Sequence, residues 1–162
     1  MILVVMGVTG CGKTTIGKLL AGQLSLPFFD ADAFHSKENI DKMSTGISLT
    51  DEDRYPWLHT LSNLLLENKL QGAVLACSAL KEEYRKILQQ GVQDIVWIFL
   101  EGTETVIRER MQKRDDHFMP DSLLRSQFLT LEKPVYAHCV SIEDDPHTIV
   151  NDILNLLKKS DQ

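Results

Sequence analysis

Apolar runs alternate along the chain with segments in which leucine and isoleucine recur every three to four residues. Continuous runs are typical of strands covered on both faces of a parallel sheet, and the recurring spacing is typical of amphipathic helices. Strands are predicted at residues 2–6, 28–29, 73–77, 94–100 and near 136–142. Helices are predicted at residues 13–24, 53–68, 80–90, 103–113, 121–130 and 146–158, with Thr50 or Asp51 as the N-cap of the second helix.

The alternation of strands and helices predicts an α/β fold, namely a three-layer, open, parallel five-stranded sheet flanked by helices. Such a sheet binds its ligands at the carboxyl ends of the strands. The chain has 162 residues and contains no internal repeat or long linker, so residues 1–162 are predicted to form a single domain.

Charge and composition exclude several classes of partner. The formal net charge is −6, which disfavours nucleic acid or an anionic membrane as the main partner. No apolar run approaches the roughly 18 residues of a membrane span. The cysteines at positions 11, 77 and 139 show no metal-binding spacing, and an odd number without a secretion signal predicts the cytoplasm.

The sequence GVTGCGKT at residues 7–14 matches the phosphate-loop pattern G-x-x-x-x-G-K-[ST] between a predicted strand and a predicted helix. Glycines allow backbone N–H groups to surround phosphate oxygens, and the helix N-terminus attracts the anion. Lys13 can reach the β- and γ-phosphates, and Thr14 can offer its hydroxyl to Mg²⁺. The predicted nucleotide-binding residues of this loop are Gly7, Thr9, Gly10, Cys11, Gly12, Lys13, Thr14 and Thr15.

The segment DADAFH ends the second predicted strand with two carboxylates. One of Asp30 and Asp32 could hold a Mg²⁺ water, and the other could accept a proton from an attacking hydroxyl. The alternative is a helix cap and a solvated turn. His35, taken alone, is more often a surface or core residue than a functional one.

The segment CSALKEEYR at residues 77–85 places Ser78, Lys81 and Arg85 at helical spacing. On one helix face, a hydroxyl and two cations would suit a polyhydroxylated anion, although a capped and solvated helix gives the same pattern. Arg54 could likewise form a surface ion pair or grip a carboxylate. Trp57 is predicted to belong to the core.

Two arginines, Arg110 and Arg114, lie at the end of a predicted helix that leads into the polar stretch at residues 114–120. Arginines entering a loop that covers a site can neutralise the charge that develops during phosphoryl transfer. The alternative is a basic helix C-terminus favoured by the helix dipole.

Taken together, these segments resemble the small ATP-dependent gluconokinases of the phosphate-loop kinase superfamily. The resemblance covers roughly residues 2–132 and rests on GVTGCGKT, DADAFH, KENIDKMSTGISLTDEDRYPWL, CSALKEEYR, HFMP and SQFLTLE. One departure is Cys11, where the family commonly has serine. That position contributes mainly its backbone.

The resemblance implies transfer of the ATP γ-phosphate to the 6-hydroxyl of D-gluconate, with Mg²⁺ as cofactor. It also implies a nucleoside-monophosphate-kinase-like arrangement with a substrate-binding helical segment at about 35–68 and a lid at about 114–125, and a homodimer. By family match, Asp32 is the base, Asp30 joins Thr14 at the Mg²⁺ site, and adenine lies near residues 142–146. The other implied roles are catalysis by Lys13 and Arg114, phosphate binding by Arg110 and Arg114, and gluconate binding by Asp32, His35, Arg54, Ser78, Lys81, Arg85 and Gln127.

The nearest alternative is another small-molecule kinase, such as a shikimate-type kinase. That type is expected to carry a glycine run after the third strand, where this chain has CSALK. A GTP-dependent switch is a second alternative, but the chain has only an NKLQ segment at 68–71 in place of an NKxD-like motif. A catalytically silent relative is a third, and the complete set of phosphate, metal and base candidates argues against it.

Overall fold

A parallel sheet with the strand order β2-β3-β1-β4-β5 forms the centre of the computed structural model, which describes residues 1–114 and 120–160. The strands are β1 (Ile2–Met6), β2 (Phe28–Asp30), β3 (Ala73–Ala76), β4 (Ile95–Glu101) and β5 (His138–Ser141). Every neighbouring pair runs parallel, so all carboxyl ends meet at one edge of the sheet. Strands β1 and β3 are completely buried, as their continuous apolar sequences predict.

Helices cover this sheet on both faces, which confirms the predicted three-layer α/β fold. They are α1 (Lys13–Leu24), α2 (Lys37–Ser44), α3 (Asp51–Glu67), α4 (Glu82–Leu88), α5 (Glu104–Gln112), α6 (Asp121–Thr130) and α7 (Pro146–Ser160). Helix α1 packs against α7, and α3 packs against α4. None of the helices within the described ranges has the length and apolarity needed to cross a bilayer.

Helix α3 begins with a capping box whose N-cap is Thr50, one of the two N-cap residues predicted from the sequence. The Thr50 hydroxyl accepts a 3.1 Å hydrogen bond from the Asp53 N–H, and Asp53 accepts a 2.9 Å hydrogen bond from the Thr50 N–H. The buried face of the helix carries Trp57 and leucines at the expected spacing. This fixed start sets the orientation of the side chains in its first two turns.

The helix predicted at 80–90 begins later than expected, at Glu82. Ala79 has a left-handed φ of 43°, and Lys81 is extended, so the chain cannot be helical between Ser78 and Lys81. The prediction that Ser78, Lys81 and Arg85 share one helix face is therefore wrong.

Two further short elements follow β2. A 3₁₀ turn, Ala31–Phe34, starts directly after Asp30, and α2 occupies part of the segment expected to bind substrate. Residues 115–119 of the predicted lid lie outside the described residues.

Candidate active site

The phosphate loop joins β1 to α1 at the carboxyl edge of the sheet. Gly7, Gly10 and Gly12 have φ values of 148°, 75° and 97°, where a side chain would strain the backbone. A Cβ on Gly7 would also lie 2.9 Å from the Leu100 carbonyl oxygen. The N-cap of α1 is Gly12, which has no side chain to cap the helix, so the first N–H groups of α1 are suited to bind an anion. The loop thus has the backbone geometry of a phosphate site.

The Lys13 ammonium donates a 2.9 Å hydrogen bond to the Val8 carbonyl, which places it across the phosphate loop. The Thr14 hydroxyl donates a 2.7 Å hydrogen bond to Asp30, and the other Asp30 oxygen accepts a 3.0 Å bond from the Asp32 N–H. Asp30 therefore caps the 3₁₀ turn and also contacts the phosphate loop. The two functions considered for Asp30, a cap of the turn and a group at the Mg²⁺ site, are therefore compatible.

A cavity of about 270 Å³ opens beside the phosphate loop. Seven residues of its lining were predicted from the sequence: Thr9, Lys13, Asp32, His35, Arg54, Ser78 and Gln127. Its remaining polar lining consists of the hydroxyls of Ser44, Ser48 and Ser126, and its apolar lining includes Trp57, Leu80 and Leu123. All three serines lie in segments that carry the family resemblance, but none was predicted as a site residue, because a single serine in a sequence is rarely informative.

Asp30 and Asp32 separate because β2 ends at Asp30. Asp32 belongs to the 3₁₀ turn that follows, so the two side chains do not share one face of a strand, as alternate strand residues would. Asp30 contacts the phosphate loop, whereas Asp32 lines the cavity. One carboxylate thus lies at the phosphate loop and the other in the adjacent cavity, and a phosphoryl-transfer site needs these two places side by side.

His35 stacks on Trp57, with ring centroids 4.1 Å apart and an interplanar angle of 17°. Trp57 is 4% exposed and donates a 2.7 Å hydrogen bond to the Ala31 carbonyl, so it anchors the 3₁₀ turn as well as belonging to the core. Burial lowers the pKa of His35, Asp32 partly opposes this shift, and Arg54 adds to it. The neutral imidazole is therefore favoured at the cavity wall.

Arg54 extends from the first turns of α3 to the cavity. One of its nitrogens, Nη1, donates to the Leu49 carbonyl at 2.5 Å and to the Tyr84 hydroxyl at 3.2 Å. Of the two interpretations considered for this residue, the structure favours a cation directed at a ligand, because Arg54 lines the cavity.

Arg85 does not belong to the lining of this cavity, so the geometry does not support its predicted contact with substrate. Its side chain is 1% exposed and donates to the carbonyls of Ala79, Leu80 and Glu132 at 2.7, 3.2 and 2.8 Å. Lys81 also lies outside the cavity lining, with its ammonium 3.1 Å from a carboxylate oxygen of Asp51. Of the three polar residues predicted after β3, Ser78 alone is brought to the cavity.

Gln127 links α6 to the phosphate loop, because its side-chain oxygen accepts a 2.7 Å hydrogen bond from the Thr9 N–H. Arg110 donates a 2.5 Å hydrogen bond to the Ile142 carbonyl, at the start of the segment expected to contact adenine. Arg114 is exposed after the end of α5. The lid motif HFMP begins at His117, and its first three residues fall outside the described residues.

The fold and this site define a phosphate-loop kinase for small molecules. A family model described as "Shikimate kinase" matches residues 9–158. The chain is 43% identical to a gluconokinase from Arabidopsis thaliana, covering 98% of this chain and 93% of that protein. It is 47% identical to a thermosensitive gluconokinase from Escherichia coli K12, covering 81% and 71%. The chain belongs to the gluconokinase family, within the wider group that the shikimate kinase model describes.

Solved structures agree with this assignment. A gluconokinase from Sinorhizobium meliloti 1021 superposes with a TM-score of 0.90 at 42% identity, covering 98% of this chain and 91% of that one. A shikimate kinase from Aquifex aeolicus superposes with a TM-score of 0.58 at 20% identity, a likeness that concerns the fold alone. The resemblance found from the sequence motifs is therefore confirmed.

Proposed function

We propose that the protein is a gluconokinase that transfers the γ-phosphate of ATP to the 6-hydroxyl of D-gluconate, giving 6-phospho-D-gluconate and ADP. One observation carries this proposal: the cavity beside the phosphate loop is lined by one carboxylate residue, two cationic residues and several hydroxyl-bearing residues. Gluconate is a small anion with many hydroxyls, and it needs these groups as partners. The 43% identical relative is named a gluconokinase, which supports the same substrate.

Asp32 is proposed as the catalytic base. Its carboxylate lines the same cavity as Lys13, so an acceptor hydroxyl there can lie between the base and the transferred phosphate. The hydroxyl oxygen attacks the γ-phosphorus, its proton passes to Asp32, and the bond to the ADP oxygen breaks. Lys13 neutralises the charge that builds on the phosphates, provided that its ammonium exchanges the Val8 carbonyl for them.

The Thr14 hydroxyl and the Asp30 carboxylate are chemically suited to Mg²⁺, which prefers oxygen ligands. Residues 1–114 and 120–160 contain no cluster of three or more acidic, histidine or cysteine side chains that could hold a metal alone. This agrees with an ion bound mainly by nucleotide phosphates and a few protein oxygens. When bound, Mg²⁺ would neutralise phosphate charge, and Thr14 and Asp30 would position it.

The remaining predicted residues are assigned by their location. We propose that His35, Arg54, Ser78 and Gln127 contact gluconate or order the closed site, since all four line the cavity. Arg110 and Arg114 are proposed to contact phosphates from the end of α5. Backbone near residues 142–146 is proposed to contact adenine.

A coupled assay of ADP release tests the function, with gluconate, shikimate and nucleoside monophosphates as acceptors. Shikimate is included because the matching family model carries that name. We expect turnover with gluconate well above the ATPase background. Turnover with shikimate or a nucleotide but not gluconate would reject the proposal, and a GTP preference without any acceptor would favour a switch.

We further propose a cytoplasmic homodimer. The three cysteines are free, which supports a reducing compartment, and the family resemblance supports the dimer. Sedimentation analysis at several protein concentrations tests the oligomeric state.

A further inference from the structure

Tyr84 lies beside two cations, only one of which lines the cavity. The tyrosine belongs to α4 and is 1% exposed. The guanidinium carbon of Arg54 lies 5.3 Å from the ring centroid, and the ammonium of Lys81 lies 5.6 Å from it. Arg54 lines the cavity, whereas Lys81 does not. The buried ring of Tyr84 therefore lies beside Arg54, which is available to a ligand, and beside Lys81, which is not at the cavity.

The hydrogen bonds of the Tyr84 hydroxyl have a defined direction. A guanidinium has no acceptor, so Tyr84 must accept the 3.2 Å hydrogen bond from Arg54 Nη1. The hydroxyl proton is then donated to the Asp51 carboxylate. Burial and this hydrogen bond raise the pKa of Tyr84, so the hydroxyl stays protonated across the physiological range.

Lys81 compensates the charge of Asp51. Its ammonium lies 3.1 and 3.3 Å from the two carboxylate oxygens. Arg54 is linked to Asp51 by hydrogen bonds through the Tyr84 hydroxyl. Within residues 1–114 and 120–160, Arg54 forms no ion pair, and its Nε and Nη2 form no hydrogen bond. The charge of Arg54 therefore remains available to a ligand.

We propose that Tyr84 is a positioning residue that determines specificity for an anionic acceptor by holding the Arg54 guanidinium at the cavity wall. Asp51 fixes the direction of the Tyr84 hydroxyl, and Lys81 prevents Asp51 from attracting Arg54 away. An arginine ordered before binding loses less side-chain entropy when a carboxylate arrives. The identity of the acceptor as gluconate rests on the proposed function, but the positioning of Arg54 does not.

Steady-state kinetics of Tyr84→Phe test the consequence for substrate binding. This substitution keeps the buried ring and removes only the hydroxyl. We expect KM for gluconate to rise about tenfold, the effect of losing a hydrogen bond to a charged group. We expect kcat and KM for ATP to change by less than about twofold. An equal rise in KM for ATP, or an unchanged KM for gluconate, would overturn the proposal.

Tyr55→Phe is the matched control. Tyr55 lies on α3 and its hydroxyl also donates to a carboxylate, that of Glu83, at 2.5 Å. It makes no hydrogen bond to Arg54, so its removal should leave KM for gluconate unchanged. A similar KM increase in both variants would indicate a general structural effect and contradict a specific role for Tyr84.

A double-mutant cycle with Arg54→Ala tests whether Tyr84 acts through Arg54. The quantity measured is kcat/KM for gluconate from the initial slope, which is available even when saturation is not reached. We expect Tyr84→Phe to cause no further loss in the Arg54→Ala background. A loss as large as in the wild-type background would overturn the proposal.

Side-chain NMR of the free protein separates the positioning of Arg54 from the identity of the acceptor. Arg54→Lys assigns the Arg54 signals. We expect slow rotation of the Arg54 guanidinium in the wild-type protein and faster rotation in Tyr84→Phe. Equal rotation rates would reject the positioning role. A rate difference in a protein that does not phosphorylate gluconate would support that role and reject the proposed function.

Discussion

The Thr14 hydroxyl and the Asp30 carboxylate are joined by a 2.7 Å hydrogen bond. Thr14 lies in the first turn of α1, which follows β1, and Asp30 ends β2. Strand β3 lies between β1 and β2 in the sheet, so this contact spans three strands at the carboxyl edge. It joins the nucleotide loop to the segment that carries Asp32 into the substrate cavity.

Asp30→Asn should weaken the response to Mg²⁺. Loss of a carboxylate that orients a metal ligand typically lowers metal affinity about 10- to 100-fold, so the Mg²⁺ concentration for half-maximal rate should rise by that factor. The measurement is initial rate against free Mg²⁺ at fixed ATP. Asp94→Asn, an exposed change just before β4, serves as the control. An unchanged Mg²⁺ response in Asp30→Asn would remove the residue from the metal site.

Asp32→Asn should lower kcat by about 10²- to 10⁴-fold, because a general base is removed and no nucleotide contact is lost. Calorimetric titration should show ATP affinity close to that of the wild-type protein. A kcat near the wild-type value would exclude Asp32 as the base. Loss of ATP binding would assign it to the nucleotide site instead.

Arg85→Ala should destabilise the fold rather than alter substrate contacts directly. It removes the donor of the buried carbonyls of Ala79 and Leu80 and of the partly buried carbonyl of Glu132, which costs about 3 kcal/mol or more in the free energy of unfolding. Urea unfolding measures this.

Arg108→Ala is the comparison for that variant. Arg108 forms a 2.7 Å pair with Glu104 on the surface of α5, and such pairs contribute about 0.5 kcal/mol. Equal effects of the two substitutions would contradict the structural role of Arg85.

The lowered pKa of His35 predicts a pH-dependent contribution to stability. Below its unfolded pKa of about 6.5, the unfolded chain binds a proton more readily than the folded protein, so the folded state loses stability as the pH falls. Above that pKa the penalty is absent. When the pH is lowered from 7.5 to 5.5, we therefore expect the free energy of unfolding to fall less for His35→Gln than for the wild-type protein.

Urea unfolding at both pH values measures this difference. His147→Gln, at an exposed position, is expected to follow the wild-type protein. A wild-type pH dependence that persists in His35→Gln would show that burial of this imidazole is not responsible.

Local patterns predicted most of the elements. Helix α1 has the predicted bounds, and α3 has one of its two predicted N-cap residues, Thr50. The helix after β3 starts later than predicted because Ala79 is left-handed. The carbonyl of Ala79 accepts a hydrogen bond from Arg85 of that same helix, a contact that residue spacing does not reveal. Trp57 is buried, as predicted, but it also lines the cavity. A large apolar side chain suits both places, so the sequence does not distinguish them.

The sequence by itself determined the phosphate loop, the alternation of strands and helices, and the family, because these depend on short-range backbone requirements and on motifs in a fixed order. Only the tertiary structure decided which cation faces the substrate. Arg54, Lys81 and Arg85 are all basic residues near the end of a strand or the start of a helix. Their roles differ because Lys81 meets Asp51, Arg85 meets buried carbonyls, and Arg54 is held at the cavity by Tyr84. The direction of a charge depends on the partners that folding brings to it. Tyr84 lies 30 residues from Arg54, and Asp51 lies 30 residues from Lys81. Glu132 lies 47 residues from Arg85.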